Sequence, residues 1–321
     1  MSFQDRLKIF KRDTARRGLF ATNWLFNRLP YVVVRFLTAG FIAIGYVFVV
    51  KQKRVAKESL EIAFGKEKSV QEVKKISRKC FWNFGQGIIE LIYFMGHPFL
   101  IKEKVTIEGR EHLDKALKEG KGVIAVSAHF GNFPVMLLYL AQLGYKTNAI
   151  IRKTRDETIE KFFLEQRSAL GLNTVYSHPR TECVNTSIKV LRDNQLLFIP
   201  LDQNFGSSGG VFVDFFGQKA ATATGPIIFA KRTGAPLLPM FIIRGKGDTH
   251  KIIVEPPMSL DQLPDDDEMI LTNTAKITAI IERYVRQYPE EWGWMHRRWK
   301  TQPIKNNKVT MSPGHQVTNL L

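Results

Sequence analysis

Short apolar runs alternate with helical patterns along the middle of the chain. The run at 123–126 predicts a buried strand, and the apolar stretch at 137–143 predicts a helix. Further strands are predicted at 146–151, 196–200, 236–243 and 252–254, and further helices at 51–79, 113–117, 158–171, 183–193, 222–232 and 272–287. Because the strands alternate with helices, the pattern predicts an α/β fold with a central, mostly parallel or mixed sheet flanked by helices.

The N-terminal region has a different pattern. Residues 1–30 are basic with interleaved aromatics, and residues 31–50 are apolar with one charge, Arg35, which could snorkel to the interface. Basic residues and no cleavage pattern follow, which favours an uncleaved membrane-anchoring helix. A helix lying in the interface, or one buried in the fold, is the alternative. The sequence thus predicts an N-terminal membrane-anchor region at 1–57, an α/β domain at 58–303 and a polar tail at 304–321.

The loop after the 123–126 strand contains the main candidate for catalysis. His129 lies at the carboxyl end of that strand, where open α/β sheets bind ligands, and an imidazole can accept a proton near neutral pH. Asn132 is expected to cap the following helix, and Pro134 suits its first turn. A histidine that only caps or packs is the alternative.

Other polar groups follow neighbouring strands. Arg152 comes after the 146–151 strand and could bind a phosphate or carboxylate, and Asp202 comes after the 196–200 strand at the same sheet edge. Glu90 lies in an aromatic stretch where burial would raise its pKa, unless it faces solvent. The glycine-rich segment at 205–217 predicts a hairpin rather than a phosphate cradle. Its 211–216 face suits an acyl slot or plain core.

The charge of the chain points to an anionic partner. Its formal net charge is +17, which suits nucleic acid, an anionic membrane surface or acidic substrates. The cations and aromatics of 292–300 could hold phosphates at a membrane interface. Nucleic-acid-binding motifs are absent from the sequence, and so are metal-binding and nucleotide-binding motifs. We therefore expect no nucleic acid, no cofactor and no metal.

Five segments together resemble the late acyltransferases of lipid A biosynthesis (lauroyl and myristoyl transferases), a branch of the lysophospholipid acyltransferase superfamily. The resemblance extends from about residue 23 to residue 303. In the order of the family, the segments are SAHFGNFP at 127–134, IIRK at 150–153, LDQNFGSSGGVFVDFFG at 201–217, ATATGPIIFAKRTGAPLLP at 221–239 and PEEWGWMHRRWK at 289–300.

The resemblance implies an enzyme of the bacterial inner membrane with its catalytic domain on the cytoplasmic side. It would move an acyl chain from a thioester of acyl carrier protein, or of coenzyme A, to a hydroxyl of an anionic lipid A precursor. His129 would be the general base, and backbone N–H groups around Gly131 and Asn132 would stabilise the oxyanion. The cations expected to hold phosphates are Arg152, Arg297, Arg298 and Lys300.

One position departs from the family pattern of a histidine, four residues, then Asp or Glu. The fifth residue after His129 is Pro134, which can neither orient an imidazole nor stabilise its protonated form. Another carboxylate is expected to do so, with Asp202 as first candidate, Glu90 as second and Asp214 as third. The departure leaves two alternatives open: an acyltransferase acting on another glycolipid or a lysophospholipid, or a non-catalytic membrane-bound relative.

Overall fold

The computed structural model describes residues 3–206 and 209–303, so the predicted polar tail at 304–321 lies outside it. The helices are α1 (Phe3–Phe26), α2 (Tyr31–Phe48), α3 (Val50–Phe64), α4 (Val70–Gly96), α5 (Phe99–Lys104), α6 (Arg110–Lys118), α7 (Phe133–Gln142), α8 (Glu157–Ala169), α9 (Arg180–Arg192), α10 (Gly225–Thr233) and α11 (Asp266–Gln287). The strands are β1 (Val105–Glu108), β2 (Val123–Ser127), β3 (Thr147–Ile151), β4 (Leu172–Tyr176), β5 (Leu196–Pro200), β6 (Gly210–Phe215), β7 (Gln218–Ala223), β8 (Leu237–Arg244) and β9 (His250–Val254).

Seven strands form one central sheet in the order β1-β9-β8-β2-β5-β3-β4. Neighbouring strands run parallel except β8 and β9, which are antiparallel. Strand β2 lies near the middle, and all five of its residues are buried. Ile124 and Val126 belong to one apolar cluster, whereas Val123 and Ala125 belong to the other. Because side chains alternate across a strand, the sheet is covered on both faces, and the predicted mixed α/β fold is confirmed.

Some predicted boundaries differ from the structure. Helix α7 begins at Phe133, four residues before the predicted start, because Pro134 fits its first turn. Helix α11 includes acidic residues that the sequence suggested were loop: Asp265 is its N-cap, and carboxylates in a first turn favour the helix dipole. Strand β4 has no counterpart among the predicted strands, because its partly exposed, partly polar sequence LNTVY lacks a continuous apolar run.

The apolar helix α2 packs against α4 along one side. A Cβ at Gly85 of α4 would lie only 2.7 Å from Cγ1 of Ile42, so the glycine permits this close approach. Arg35 forms an ion pair with Asp248 at 3.1 Å instead of reaching for an interface. The opposite side of α2 is exposed and apolar, which excludes the buried-helix alternative. Its large exposed apolar residues are Val32, Val33, Phe36, Phe41, Ile44, Val47 and Phe48.

Within the described residues, α2 is the one helix long and apolar enough to cross a membrane, judged by length and composition. The boundary predicted after residue 57 lies inside α3. Ala56 and Leu60, on either side of it, are both buried in the same core cluster. The predicted anchor region and the α/β body are therefore joined through one continuous helix.

The glycine-rich segment forms a hairpin, β6–β7, as the sequence favoured. Its tight turn has positive φ angles at Phe216 and Gly217, which matches the twist of antiparallel strands. Phe215 is 1% exposed and packs against Trp292 and Trp299. This part of the 211–216 face is therefore core rather than a wall of an acyl slot.

Candidate active site

His129 and Asp202 meet at the carboxyl edge of the sheet. Strands β2 and β5 are parallel neighbours that pair Ser127 with Pro200, and each polar residue follows two positions later. Nδ1 of His129 lies 2.8 Å from Oδ1 of Asp202. Asp202 is buried, whereas the His129 side chain is 33% exposed, so one side of the imidazole remains open to a ligand.

Asp202 is held as a carboxylate by several groups. Its Oδ2 accepts a hydrogen bond from Nε1 of Trp292 at 2.8 Å and lies 3.9 Å from Nε2 of His296. Burial would raise the pKa of Asp202, but the charge of His129 and its hydrogen bond lower that pKa well below its usual range. An ionised carboxylate only accepts hydrogen bonds, so the neutral His129 ring has its proton on Nδ1 and a lone pair on Nε2.

The same pair shifts the pKa of His129 in the opposite direction. Burial by itself would lower the pKa of the imidazole, but the charge of Asp202 and its hydrogen bond outweigh this and raise it above the usual value. Asp202 therefore orients the ring and stabilises its protonated form, which are the tasks that Pro134 cannot perform.

The backbone around Gly131 differs from the predicted oxyanion hole. The N–H of Gly131 donates to the backbone oxygen of Glu291 at 2.8 Å, so it is occupied. Asn132 is the N-cap residue of α7, but its side chain donates instead to the Gly87 oxygen and to Glu90. Among the described residues, the backbone N–H groups of Asn132 and Phe133 donate no hydrogen bond. These two groups point out of the positive end of α7.

An apolar cavity of about 140 Å³ opens beside His129, between α4 and the start of α7. Phe84, Ile88 and Leu91 of α4 form one wall, and Phe133 forms another. Phe84 and Ile88 are also partly exposed, so the cavity opens along the α4 surface. Its apolar lining and its open side suit an apolar chain that extends along the α4 surface.

Glu90, the second candidate partner of His129, is committed to another network. Its carboxylate accepts hydrogen bonds from both terminal nitrogens of Arg244 and lies 3.1 Å from Nε2 of His250. Burial would raise the pKa of Glu90, but the hydrogen bonds from His250 and Arg244 and the Arg244 charge outweigh it and lower the pKa to about 2. The expectations of a raised pKa and of a surface-facing side chain are both wrong.

Asp214, the third candidate, is exposed and pairs with Lys219 across the hairpin at 3.1 Å. It therefore does not orient His129. Of the three carboxylates considered from the sequence, the structure brings Asp202 alone into contact with the imidazole.

The segment at 292–300 is largely core rather than an exposed patch. Arg298 is fully buried, and its guanidinium donates to the backbone oxygens of Ala221 at 2.7 Å and Gln203 at 3.2 Å. The expectation that Arg298 binds phosphate is therefore wrong, because its donors tie the hairpin to the loop after β5. Arg297 and Lys300 are exposed.

Arg152 is also exposed and follows β3, on the far side of β5 from β2. Two strand spacings place it roughly 10 Å from the β2 end along the same sheet edge. For Arg152, Arg297 and Lys300, phosphate binding stays a prediction.

Three contributors to the site were not identified from the sequence. Trp292 was assigned to an interfacial patch, but it binds Asp202. Gln203 has its side-chain nitrogen 3.1 Å from Nε2 of His129. Glu291 lines the cavity, and burial raises its pKa to about 7. The position of Gln203 directly after Asp202 was the one signal available, because adjacent loop residues share the same sheet edge.

A base–carboxylate pair beside an apolar cavity suits the transfer of an apolar group to a hydroxyl. Comparison with known proteins shows that the chain is an acyltransferase. The family model for bacterial lipid A biosynthesis acyltransferases matches residues 3–301, and the chain belongs to this family.

Curated relatives agree with this family assignment. The chain is 28% identical to a lipid A biosynthesis lauroyltransferase of Escherichia coli (strain K12), over 87% of this chain and 89% of the relative. It is 24% identical to a lipid A biosynthesis palmitoleoyltransferase of the same strain, over 89% and 91%. A phosphatidylinositol mannoside acyltransferase of Mycobacterium tuberculosis (strain ATCC 25618 / H37Rv) is 26% identical over 60% of each chain.

Proposed function

We propose that this protein transfers a fatty acyl chain from a thioester of acyl carrier protein to a hydroxyl of a lipid A precursor, with His129 as general base. The 2.8 Å contact between His129 and Asp202 at the mouth of an apolar cavity carries the proposal. Two relatives named for lipid A biosynthesis, each matching more than four-fifths of the chain, support this acceptor class.

The reaction needs one proton relay. Nε2 of His129 accepts the proton of the acceptor hydroxyl while its oxygen attacks the thioester carbon and forms the new C–O bond. The tetrahedral intermediate then collapses, the C–S bond breaks, and the imidazolium returns the proton to the departing thiolate. Asp202 stabilises the imidazolium between the two steps, because its carboxylate stays ionised against Nδ1.

The negative oxygen of that intermediate needs preorganised donors. The N–H groups of Asn132 and Phe133 suit this role, because they lie at the N-terminus of α7, next to His129, and have no acceptor among the described residues. This assignment replaces the Gly131 N–H, which is bound to Glu291.

The cavity along α4 is the proposed acyl site. Its apolar residues, Phe84, Ile88, Leu91 and Phe133, contact the same space as His129. An acyl chain lying there would remove apolar surface from water, which favours binding by roughly 25 cal/mol for each Å² buried. The thioester carbon would then lie at the polar end, next to the imidazole.

Charge supports both proposed partners. Acyl carrier protein is acidic and a lipid A precursor is anionic, and the chain has a net charge of +17. Arg152, at the sheet edge, and Arg297 and Lys300, which follow His296 near Asp202, are exposed cations close to the site. We propose that they contact the phosphates of the acceptor.

Membrane association at the inner membrane, with the catalytic domain on the cytoplasmic side, is part of the proposal. The exposed apolar face of α2 supports it, because a contiguous apolar surface of this size marks a membrane or protein contact. Phe84 and Ile88 add exposed apolar surface at the cavity, on the same helix that packs against α2. A lipid acceptor could therefore reach the site from the bilayer surface.

The test is acyl transfer by the purified full-length protein in detergent, with acyl carrier protein thioester and a lipid A precursor, followed by mass spectrometry. We expect His129→Ala to lower transfer by 10²-fold or more, as loss of a general base does. Asp214→Asn is the matched control, because this carboxylate is exposed and away from the imidazole; its transfer rate should equal that of the wild type. Undiminished transfer by His129→Ala would overturn the base assignment.

The acceptor is tested separately from the base. Phosphatidylinositol mannoside acyltransferases are relatives of this chain, so another glycolipid and a lysophospholipid are offered in parallel assays. Faster transfer to either than to the lipid A precursor would replace the proposed acceptor and leave the His129 chemistry intact. No transfer to any of them would contradict the proposed function.

A further inference from the structure

Gln203 contacts the nitrogen that the proposed reaction needs. Its side-chain Nε2 lies 3.1 Å from Nε2 of His129, on the ring edge opposite Asp202. Because Asp202 fixes the ring proton on Nδ1, Nε2 of the neutral ring is an acceptor and the Gln203 amide donates to it. With no acceptor bound, the lone pair of the base is thus already occupied.

The backbone around Gln203 is held by hydrogen bonds, whereas His129 is the one hydrogen-bond partner of its side chain among the described residues. The backbone oxygens of Asp202 and Gln203 accept hydrogen bonds from His296 and Arg298, and Asn204 exchanges two hydrogen bonds with Thr301. The Gln203 side chain itself is exposed. Rotation about its side-chain bonds can therefore release His129 without moving the loop.

We propose that Gln203 is a positioning residue that caps the general base until an acceptor hydroxyl displaces it. The inference rests on the proposed function, because it assigns Nε2 of His129 as the proton acceptor. A donated hydrogen bond stabilises the neutral ring and opposes its protonation. The cap also competes with water for the same lone pair, so it limits hydrolysis of the thioester before the acceptor arrives.

The first test reads the imidazole directly and needs no substrate. The full-length protein is labelled with ¹⁵N-histidine, the His129 signals are assigned by comparison with His129→Ala, and their pH titration is followed by NMR. Gln203→Met keeps the side-chain length and removes the donor, so the His129 midpoint should rise by roughly half a pH unit. Gln203→Glu places a carboxylate at Nε2 and should raise it further.

Other titratable groups around the ring stay in place in these variants, so a change in midpoint reports the amide. These groups are Asp202, His296, Arg244, Glu290 and Glu291. Gln218→Met is the matched control, because it removes an exposed glutamine from strand β7 of the hairpin. Its His129 midpoint should equal that of the wild type.

The second test measures what the cap does during turnover. Thioester hydrolysis without acceptor should rise about fivefold in Gln203→Met relative to wild type, the factor expected for losing one hydrogen bond. Gln203→Glu should slow transfer at neutral pH, because more of its base is protonated.

Unchanged His129 midpoints in both Gln203 variants would overturn the cap, whatever the activity. If Gln203→Met raises the His129 midpoint but leaves thioester hydrolysis unchanged, the hydrogen bond exists but does not protect the thioester from water. That part of the proposal would then be wrong. Full transfer by His129→Ala would instead overturn the proposed base, and the NMR titration would still report the Gln203 contact.

Discussion

The indole nitrogen of Trp292 donates a hydrogen bond to Oδ2 of Asp202 at 2.8 Å, while Oδ1 of the same carboxylate contacts His129. The segment after α11 thereby reaches into the site built from the ends of β2 and β5. Because both oxygens are bound, the carboxylate cannot rotate away from the imidazole without breaking a hydrogen bond. Trp292 is therefore the residue that fixes the direction of the His129–Asp202 contact.

Trp292→Phe removes this hydrogen bond and keeps an aromatic ring in the core. We expect kcat to fall roughly tenfold, the effect of losing about 1.4 kcal/mol of stabilisation in the transition state. Trp294→Phe is the matched control, because its indole donates to the Pro289 backbone oxygen and not to Asp202. Equal losses of kcat in two variants of similar thermal stability would contradict the specific role of Trp292.

The pH dependence of activity follows from the direction of the His129 pKa. Asp202 raises this pKa above 6.5 against the effect of burial, and the base works only when unprotonated. We therefore expect kcat/KM to rise with pH through a midpoint above 6.5. Asp202→Asn removes the charge, so the midpoint should move to lower pH while the maximal rate falls roughly 10²–10⁴-fold.

Glu291 must be separated from His129 in that profile, because burial raises the pKa of Glu291 to about 7 and it lines the same cavity. The same pH–rate measurement on Glu291→Gln provides the control. A midpoint that stays in place in Asp202→Asn and disappears in Glu291→Gln would assign the titration to Glu291.

The buried Glu90–Arg244 ion pair is expected to contribute to the free energy of unfolding. Both side chains are largely buried, so Glu90→Gln leaves the Arg244 charge without its partner and should lower the free energy of unfolding by about 3–5 kcal/mol at pH 7. The pKa of Glu90 falls from 4.5 to about 2 on folding. Its stabilisation is therefore present above pH 4.5 and is lost as the pH falls towards 2.

Chemical denaturation of wild type and Glu90→Gln at several pH values checks this. The difference between them should be constant near neutrality and shrink below pH 4.5. Glu90→Leu combined with Arg244→Met is the control, because replacing both charges removes the unpaired ion; it should recover most of the lost stability. A double variant no more stable than the single one would show that the charges are not the cause.

The sheet and the main pair were predictable because local patterns determine them. The apolar run at 196–200 matches β5, and parallel neighbours necessarily present Asp202 and His129 at one edge. The environment of Glu90 was not predictable, since Arg244 and His250 lie 154 and 160 residues further along the chain. Their hydrogen bonds, together with the Arg244 charge, reverse the pKa shift that burial alone would produce.

The segment at 292–300 shows the same limit. Aromatics and cations in alternation suit an exposed membrane contact and a buried core equally well in sequence. Arg298 is buried because the β6–β7 hairpin and the loop after β5 supply backbone oxygens for its donors. Such oxygens belong to every residue, so no side-chain pattern reveals them.

Pro134 stands where the family pattern has an acid, so Pro134→Glu restores that acid. The structure allows its effect on kcat to be predicted. A carboxylate in the first turn of α7 is favoured by the helix dipole, and the position lines the same cavity as Arg244. Because Asp202 already orients His129, Pro134→Glu should change kcat by less than about threefold, within 1 kcal/mol. The measurement is the transfer assay on this variant and on its combination with Asp202→Asn.

In that combination the activity should stay as low as in Asp202→Asn alone. Recovery of tenfold or more would show that an acid on the helix side can orient the imidazole in this protein. The two arrangements would then be interchangeable, and the contact with Asp202 would not be required.

Gly131 tests whether the loop geometry itself matters for catalysis. Its φ is +55°, and a Cβ there would lie 2.1 Å from the Ile242 backbone oxygen, which cannot move aside without disturbing β8. Gly131→Ala must therefore shift the loop between His129 and α7, including the hydrogen bond to Glu291. We expect the free energy of unfolding to fall. The rate of transfer should fall at least tenfold, because a displacement of catalytic groups by about 1 Å is enough to slow a reaction by this much.

Gly120→Ala separates this displacement from backbone strain alone. Gly120 also has a positive φ, +74°, but nothing lies within 4 Å of its added Cβ. It should lose about 1 kcal/mol of stability, the cost of a left-handed alanine, and keep its full transfer rate. If Gly131→Ala loses no more stability than Gly120→Ala and keeps its full transfer rate, the exact position of the loop between His129 and α7 does not limit catalysis.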